Sequence, residues 1–99
     1  MKTIRQTIEN MEFNVTTSKA QKEILIDIAE TEGEYTKTNA EIGEMIARFK
    51  HDIHYTVQKL ERRNLIKRRI DYLPNGAVAK RVLSLHPDFL YRLEKEREE

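Results

Sequence analysis

The chain of 99 residues contains no cysteine and no tryptophan, and it has only three glycines and two prolines. Without cysteine, it can form neither a disulfide framework nor a thiolate metal site, so its three histidines have no Cys partners for zinc. The sequence also lacks a phosphate-binding glycine loop, a nucleophile elbow and a carboxylate pair in an apolar setting. We therefore expect a protein that is not an enzyme and uses no cofactor.

Metal binding is the one chemical alternative that the histidines leave open. His51 and His54 are spaced i, i+3 and could share a helix face beside Asp52. His86 is remote in sequence, and no second cluster supplies the remaining ligands. We therefore expect no metal site.

Long hydrophobic runs are also missing. No segment approaches the roughly 20 apolar residues of a membrane span, and the N-terminus lacks the apolar stretch of a signal peptide. The composition, 38% hydrophobic and 35% charged, is apolar enough for a core and leaves a heavily ionised surface. These features predict one soluble, cytoplasmic domain.

The net charge of +1 conceals an uneven distribution along the chain. Residues 1–49 carry 6 basic and 9 acidic side chains, residues 50–81 carry 9 and 3, and residues 82–99 carry 3 and 5. The central block therefore has a charge of +6 between segments of −3 and −2. A basic block of this kind is typical of a nucleic-acid-binding surface, although a solvated charged face is the simpler alternative.

The first half of the chain shows helical periodicity. In residues 1–14, three apolar side chains at i, i+4, i+7 indicate a short helix. Ser18 and Gln21 have the spacing of a capping box, and the apolar stripe after them predicts a helix to about Thr31, followed by a left-handed exit at Gly33. The apolar positions of these two helices are Ile4, Ile8, Met11, Ile24, Leu25 and Ile28.

Two short helices follow, joined by a tight turn. Thr38 and Glu41 form a second capping-box pattern, which starts a helix ending near Arg48. The next helix has apolar residues at i, i+4, i+7 and ends around Arg63 and Asn64, where Asn tolerates a left-handed conformation. Its apolar positions are Ile53, Val57 and Leu60. This arrangement is the helix-turn-helix pattern.

After Asn64 the periodicity changes from 3.6 to 2. Residues 65–72 and 77–85 read as two strands, and Pro74-Asn75-Gly76 between them has the chemistry of a hairpin turn. Residues 35–37 are long enough only for an edge strand or an extended connection. Pro87 opens a last helix with Phe89, Leu90 and Leu93 on its apolar side, which fades into a charged tail at residues 94–99.

Two segments give the chain a family resemblance. Residues 39–47 (NAEIGEMIA) and residues 57–69 (VQKLERRNLIKRR) resemble the first motif helix and the recognition-helix-to-wing segment of the winged helix-turn-helix family of prokaryotic, phage and archaeal DNA-binding proteins. Ala47 stands where the family often has a turn glycine, and Arg48 and Phe49 depart from its usual apolar-then-Ser order.

The resemblance implies a mostly helical α+β winged helix-turn-helix fold, with a three-helix core, a two-stranded β wing and flanking terminal helices. On this basis we divide the chain into an N-terminal extension (1–14), the winged domain (15–86) and a C-terminal helix with its tail (87–99).

A DNA-binding surface is implied by the same resemblance. The recognition helix, at about residues 51–63, would enter the major groove, and the wing, at 66–83, would meet the backbone or minor groove. We expect base contacts from His54, Tyr55 and Gln58, and a minor-groove role for Arg69 or Arg81. The full candidate sets are Lys50, His51, His54, Tyr55, Gln58, Lys59 and Arg62 on the helix, and Lys67, Arg68, Arg69, Asn75, Lys80 and Arg81 on the wing.

Each part of this surface has a simpler explanation. The helix side chains could be a solvated face, and the wing's lysines and arginines could serve only to discourage edge-to-edge aggregation. Because alternate residues of a strand share a face, at most about half of the wing's cations can point towards one duplex. The DNA-binding hypothesis requires the polar side of the recognition helix and the basic wing to face the same way.

For function, we favour a transcriptional regulator, a repressor, that binds double-stranded DNA as a homodimer with recognition helices roughly 34 Å apart. Two alternatives stay open: a plasmid or viral replication or partition factor, and a protein-interaction module. No membrane partner or small-molecule effector is evident. The dimer candidates are apolar residues near the two ends, which could instead cover the domain's own core: Ile4, Ile8, Met11, Phe13, Phe89, Leu90 and Leu93.

Overall fold

The computed structural model describes residues 1–98 and contains five helices and one two-stranded sheet. Glu99, the last residue of the expected charged tail, lies outside the described residues. The α+β, mostly helical fold class is confirmed. In chain order the elements are α1 (Ile4–Asn10), α2 (Lys19–Glu30), α3 (Asn39–Ile46), α4 (Lys50–Arg62), β1 (Ile66–Tyr72), β2 (Val78–Leu85) and α5 (Pro87–Glu98).

The first three helices begin at hydroxyl side chains that cap them. The Thr38 hydroxyl accepts a hydrogen bond from the Glu41 amide, and the Glu41 carboxylate accepts one from the Thr38 amide, so the predicted capping box is complete. The box predicted at Ser18 is only half formed, because the Gln21 side chain accepts a hydrogen bond from Arg63 instead. The spacing of Ser18 and Gln21 predicts the hydrogen bond from the Gln21 amide to the Ser18 hydroxyl. It does not predict that Arg63, 42 residues away in the sequence, binds the Gln21 side chain.

The core lies between the five helices and the inner side of the sheet. Ile8 and Met11 of the N-terminal segment are buried in it, and so are Phe89 and Leu93 of α5. These four side chains therefore cover the domain's own core and are not available to a dimer, which corrects their candidacy as dimer contacts. Leu90 is 41% exposed and remains on the surface.

The helix-turn-helix turn is tight and has a left-handed residue. Ala47, which follows α3, has φ of 56° and ψ of 48°, so it adopts the turn conformation without being glycine. Helix α3 therefore ends at Ile46, two residues before the predicted end. Gly43 fits closely here, because a Cβ on it would lie 2.5 Å from the carbonyl oxygen of Arg48.

Strands β1 and β2 pair antiparallel and form the wing, which reaches to Leu85. The turn Pro74-Asn75-Gly76 is confirmed as a three-residue loop in which only Gly76 has a positive φ, of 88°. The Asn75 side chain accepts a hydrogen bond from the Ala77 amide, which stabilises the turn. The expected extended connection is confirmed at Tyr35, whose carbonyl accepts a hydrogen bond from the Leu83 amide.

Candidate nucleic-acid interface

Helix α4 separates an apolar side from a polar side. Ile53, Val57 and Leu60 pack into the core. The side chains at i, i+4, i+7, i+8 and i+11 from His51 lie opposite them and form what we call the outward face of α4. Its members are His51, Tyr55, Gln58, Lys59 and Arg62.

The outward face is not used within the chain. Apart from a 3.3 Å contact between His51 Nε2 and the Asp52 carboxylate, none of its five side chains makes a hydrogen bond or ion pair among residues 1–98. None of the five is acidic, and Tyr55 is 60% exposed. The polar groups of this face are therefore free to bind a ligand.

The two flanks of α4 contact different parts of the molecule. On one flank, Glu61 lies 3.6 Å from the Arg68 side chain of β1, so this flank borders the wing. Lys50 and His54 share that flank by helical spacing, and both are exposed. On the other flank, Arg63 donates hydrogen bonds to the Val15 carbonyl and the side chains of Thr17 and Gln21.

The wing distributes its cations between two faces, as strand alternation requires. Arg68 and Arg81 share the face that meets α4 and the start of α3. Lys67, Arg69 and Lys80 share the opposite face. The structure therefore brings only part of the wing's positive charge to the side of the recognition helix.

Arg81 connects the wing to the helix-turn-helix. Its guanidinium donates hydrogen bonds to the Asn39 side chain at 2.5 Å and to the Lys37 carbonyl at 2.8 Å. Burial lowers the pKa of Arg81 below its usual value. Because its donors are aimed inward, Arg81 fixes the position of the wing against the first turn of α3.

The segment that Arg81 contacts is itself held by a polar cluster. Asp27 of α2 accepts hydrogen bonds from the Tyr35 hydroxyl at 2.6 Å and from Lys37 Nζ at 2.7 Å. Burial, with the hydrogen bond to Asp27 adding to it, raises the pKa of Tyr35 above its usual value. The tyrosine therefore stays neutral and continues to donate its hydrogen bond.

The opposite face of the wing has a network of four charges. Arg69 pairs with Asp71 and Glu34, and Lys80 lies 2.6 Å from Glu34 and 3.9 Å from Asp71. Hydrogen bonds from Lys80 and Arg69 lower the pKa of Glu34, and the Arg69 hydrogen bond lowers that of Asp71. Two cations and two carboxylates balance, so this network presents no net charge.

Comparing this chain with known proteins by sequence and by structure gives different results. The chain matches no family model, and no curated protein matches its sequence. Solved structures do match. The wild-type ZitR of Lactococcus lactis in complex with DNA has a TM-score of 0.60 and 23% identity, covering 96% of this chain and 66% of that one. MepR of S. aureus bound to ethidium bromide has a TM-score of 0.64 and 18% identity, covering 96% and 65%. The fold that this chain shares with these structures is the winged helix-turn-helix.

The chain is similar to only part of each of these winged helix-turn-helix neighbours. This chain spans about two thirds of their length. The likeness therefore confirms the predicted winged helix-turn-helix fold.

One surface residue of the winged helix-turn-helix was missed by the sequence analysis. Phe49, the residue before α4, is 74% exposed, and its ring stacks on His51 with 5.9 Å between ring centroids. Large apolar side chains are usually buried, so nothing in the sequence indicates that this ring is exposed at the start of the helix, and only the structure shows it.

The remaining sequence candidates fall outside this surface. His86 accepts a hydrogen bond from the Asp88 amide at the start of α5. Among residues 1–98, no group of three or more His, Cys, Asp or Glu side chains could hold a metal ion. No helix in that part of the chain is both long and apolar enough to cross a membrane.

Proposed function

We propose that the chain binds double-stranded DNA sequence-specifically, with the outward face of α4 in the major groove. The observation that carries this proposal is that the five side chains of that face are non-acidic and almost free of partners within the described chain. The major groove admits one α-helix and presents a distinct donor and acceptor pattern for each base pair. Unpaired polar side chains on the open side of a buried helix suit that pattern.

The side chains of α4 divide by chemistry. Gln58 can bond bidentately to adenine, Lys59 can bond to guanine, and Tyr55 can contact a phosphate or a thymine methyl. His54 lies on the wing-side flank, with its ring edge against Tyr55 at 5.5 Å between centroids, and would read a neighbouring base edge. Lys50, His51 and Arg62 lie towards the ends of the helix, where they would contact phosphates.

The wing contributes less direct contact than its charge indicates. Arg68 makes only a 3.6 Å ion pair and lies on the wing face that meets α4, so Arg68 and the turn at Asn75 are the best placed to meet the backbone. Lys67 makes no ion pair among residues 1–98, but it lies on the opposite face of the wing. Arg69, Lys80 and Arg81 are held by other groups of the chain. Their main role in this proposal is to hold the wing in place.

The biological role we propose is regulation of transcription, by a repressor without enzymatic activity. It would act as a homodimer, because one winged domain contacts too few base pairs for useful specificity. Leu90 and Tyr91 on α5, 41% and 64% exposed, provide apolar surface for a second copy. ZitR in complex with DNA supports the choice of partner.

Selection of binding sites from random duplexes tests the proposal. We expect one enriched motif, with Gln58→Ala relaxing the preference at a single base pair by about 1–3 kcal/mol. Gln6→Ala, which removes the same kind of side chain from the α1 cap, should leave the motif unchanged. An unchanged preference in Gln58→Ala would show that the register of α4 in the groove is wrong.

The same experiment separates the other functions. A palindrome favours a dimeric regulator, whereas an array of direct repeats favours a replication or partition factor. If no duplex is retained even at low salt, a role in protein interaction replaces DNA binding.

A further inference from the structure

The first turn of α4 lacks the cap that the earlier helices have. Thr3, Ser18 and Thr38 each accept a hydrogen bond from a backbone amide of the helix that follows. Phe49 takes the same position before α4, with φ of −76° and ψ of 148°, and makes no side-chain cap. The backbone is therefore suited to a hydroxyl residue, and phenylalanine forgoes a stabilising hydrogen bond there.

Phe49 does not gain packing in exchange. Its side chain is 74% exposed and adds nothing to the core. A position that loses a cap without gaining burial violates two local rules at once, and such violations concentrate at functional sites. We therefore expect the exposed Phe49 ring to contact another molecule.

The neighbours of Phe49 indicate which molecule that is. The ring stacks on His51, so it continues the outward face of α4 beyond its N-terminal end. Arg48 and Lys50, both exposed, lie on either side of it in the sequence. An aromatic ring flanked by two cations complements a groove with phosphates along its edges and an apolar group on its floor.

In B-DNA, the apolar group on the floor of the major groove is the thymine C5-methyl. The N-terminal residues of a recognition helix are the ones that reach base edges. We propose that Phe49 is a specificity-determining residue that contacts a thymine methyl group in the major groove. This inference rests on the proposed DNA binding and adds a base-contacting residue that is not one of the polar side chains of α4.

Replacing thymine by deoxyuridine tests the contact, because it removes only the methyl group. In the duplex selected by the wild-type chain, each thymine is replaced in turn and the affinity is measured. We expect one or two positions at which the wild type loses about fourfold, the factor that corresponds to burial of one methyl group. Phe49→Ser should bind thymine and deoxyuridine equally at those positions, whereas Phe49→Leu should retain part of the difference.

The serine variant also has a structural readout. A hydroxyl at this position should cap α4 and raise Tm by about 4–8 °C, so lost discrimination cannot be attributed to unfolding. Val15→Ser removes an exposed apolar side chain, 59% accessible, from the segment before α2 and should keep the wild-type pattern of sensitive thymines.

Three results would count against the contact. If Phe49→Ser keeps the wild-type pattern, Phe49 reads no methyl group. If it keeps the pattern but changes the oligomeric state in light scattering, Phe49 belongs to a protein interface instead. If the wild type selects no duplex at all, the proposed DNA binding fails first, and this outcome is distinct from the other two.

Discussion

The recognition helix and the wing both carry positive charge, but they use it differently. In α4, Lys59 and Arg62 have no acidic partner among residues 1–98. In the wing, Arg69 and Lys80 are paired with carboxylates, and Arg81 is bonded to Asn39. A count of lysines and arginines along the sequence treats these cations as equal. The structure indicates that α4 is available to a ligand and that the wing's charge mainly holds the wing.

This difference follows from neighbouring elements. The outward face of α4 has no element packed over it, whereas the wing lies between the segment that starts α3 and the loop at Glu34. Hydrogen bonds and ion pairs satisfy groups that packing brings together, so cations in the wing find partners within the chain.

Gly43→Ala should disrupt the recognition side and leave the wing formed. Its Cβ would lie 2.5 Å from the Arg48 carbonyl oxygen, and a backbone atom cannot yield as a flexible side chain can. We expect the free energy of unfolding in urea to fall by about 2–3 kcal/mol, with loss of DNA binding. Ala47→Gly, in the same turn, should have the opposite sign and gain about 0.5–1 kcal/mol, because it relieves the positive φ.

Arg81→Ala should weaken DNA binding without changing its salt dependence. Loss of hydrogen bonds from a charged, half-buried donor should lower the free energy of unfolding by about 2 kcal/mol. The wing would lose its position, so affinity for all sequences should fall together. Arg81→Lys should recover only part of it, since an ammonium lacks the planar fork of the guanidinium. A salt slope reduced by about 0.9 would instead identify Arg81 as a phosphate contact.

Sequence reasoning predicted the order of elements well because the signals were local. The Thr38 capping box, the left-handed Asn64 and the turn at Gly76 each depend on residues within a few positions of one another. The role of Arg81 depends on Asn39, 42 residues away. Phe49 is exposed because little of the described chain packs over its ring. Such facts require the tertiary arrangement, which periodicity does not contain.

Comparing Lys59→Ala with Arg69→Ala measures the difference between an unpaired cation of α4 and a paired cation of the wing. Each removes one positive charge, but only Lys59 is free of an acidic partner among residues 1–98. We expect the slope of log K against log salt to decrease by about 0.9 for Lys59→Ala and to change little for Arg69→Ala. Lys2→Ala, at an exposed position before α1, controls for net charge alone. Equal changes for Lys59 and Arg69 would mean that the wing network opens on DNA.

The smallest effect should be a pH response confined to the wing. Because Glu34 and Asp71 have lowered pKa values in the folded chain, their pairs stabilise the wing above the unfolded carboxyl pKa of about 4. That contribution is lost as the pH falls through the lowered folded values. The protection factors of the amides in β1 and β2 should therefore fall below about pH 4 before those in α4 do. Glu34→Gln should accelerate wing exchange already at neutral pH, whereas Glu32→Gln, an exposed neighbour outside the network, should not. If α4 and the wing loosen together in acid, the network does not hold the wing independently, and the charges of the two regions are more alike than their contacts indicate.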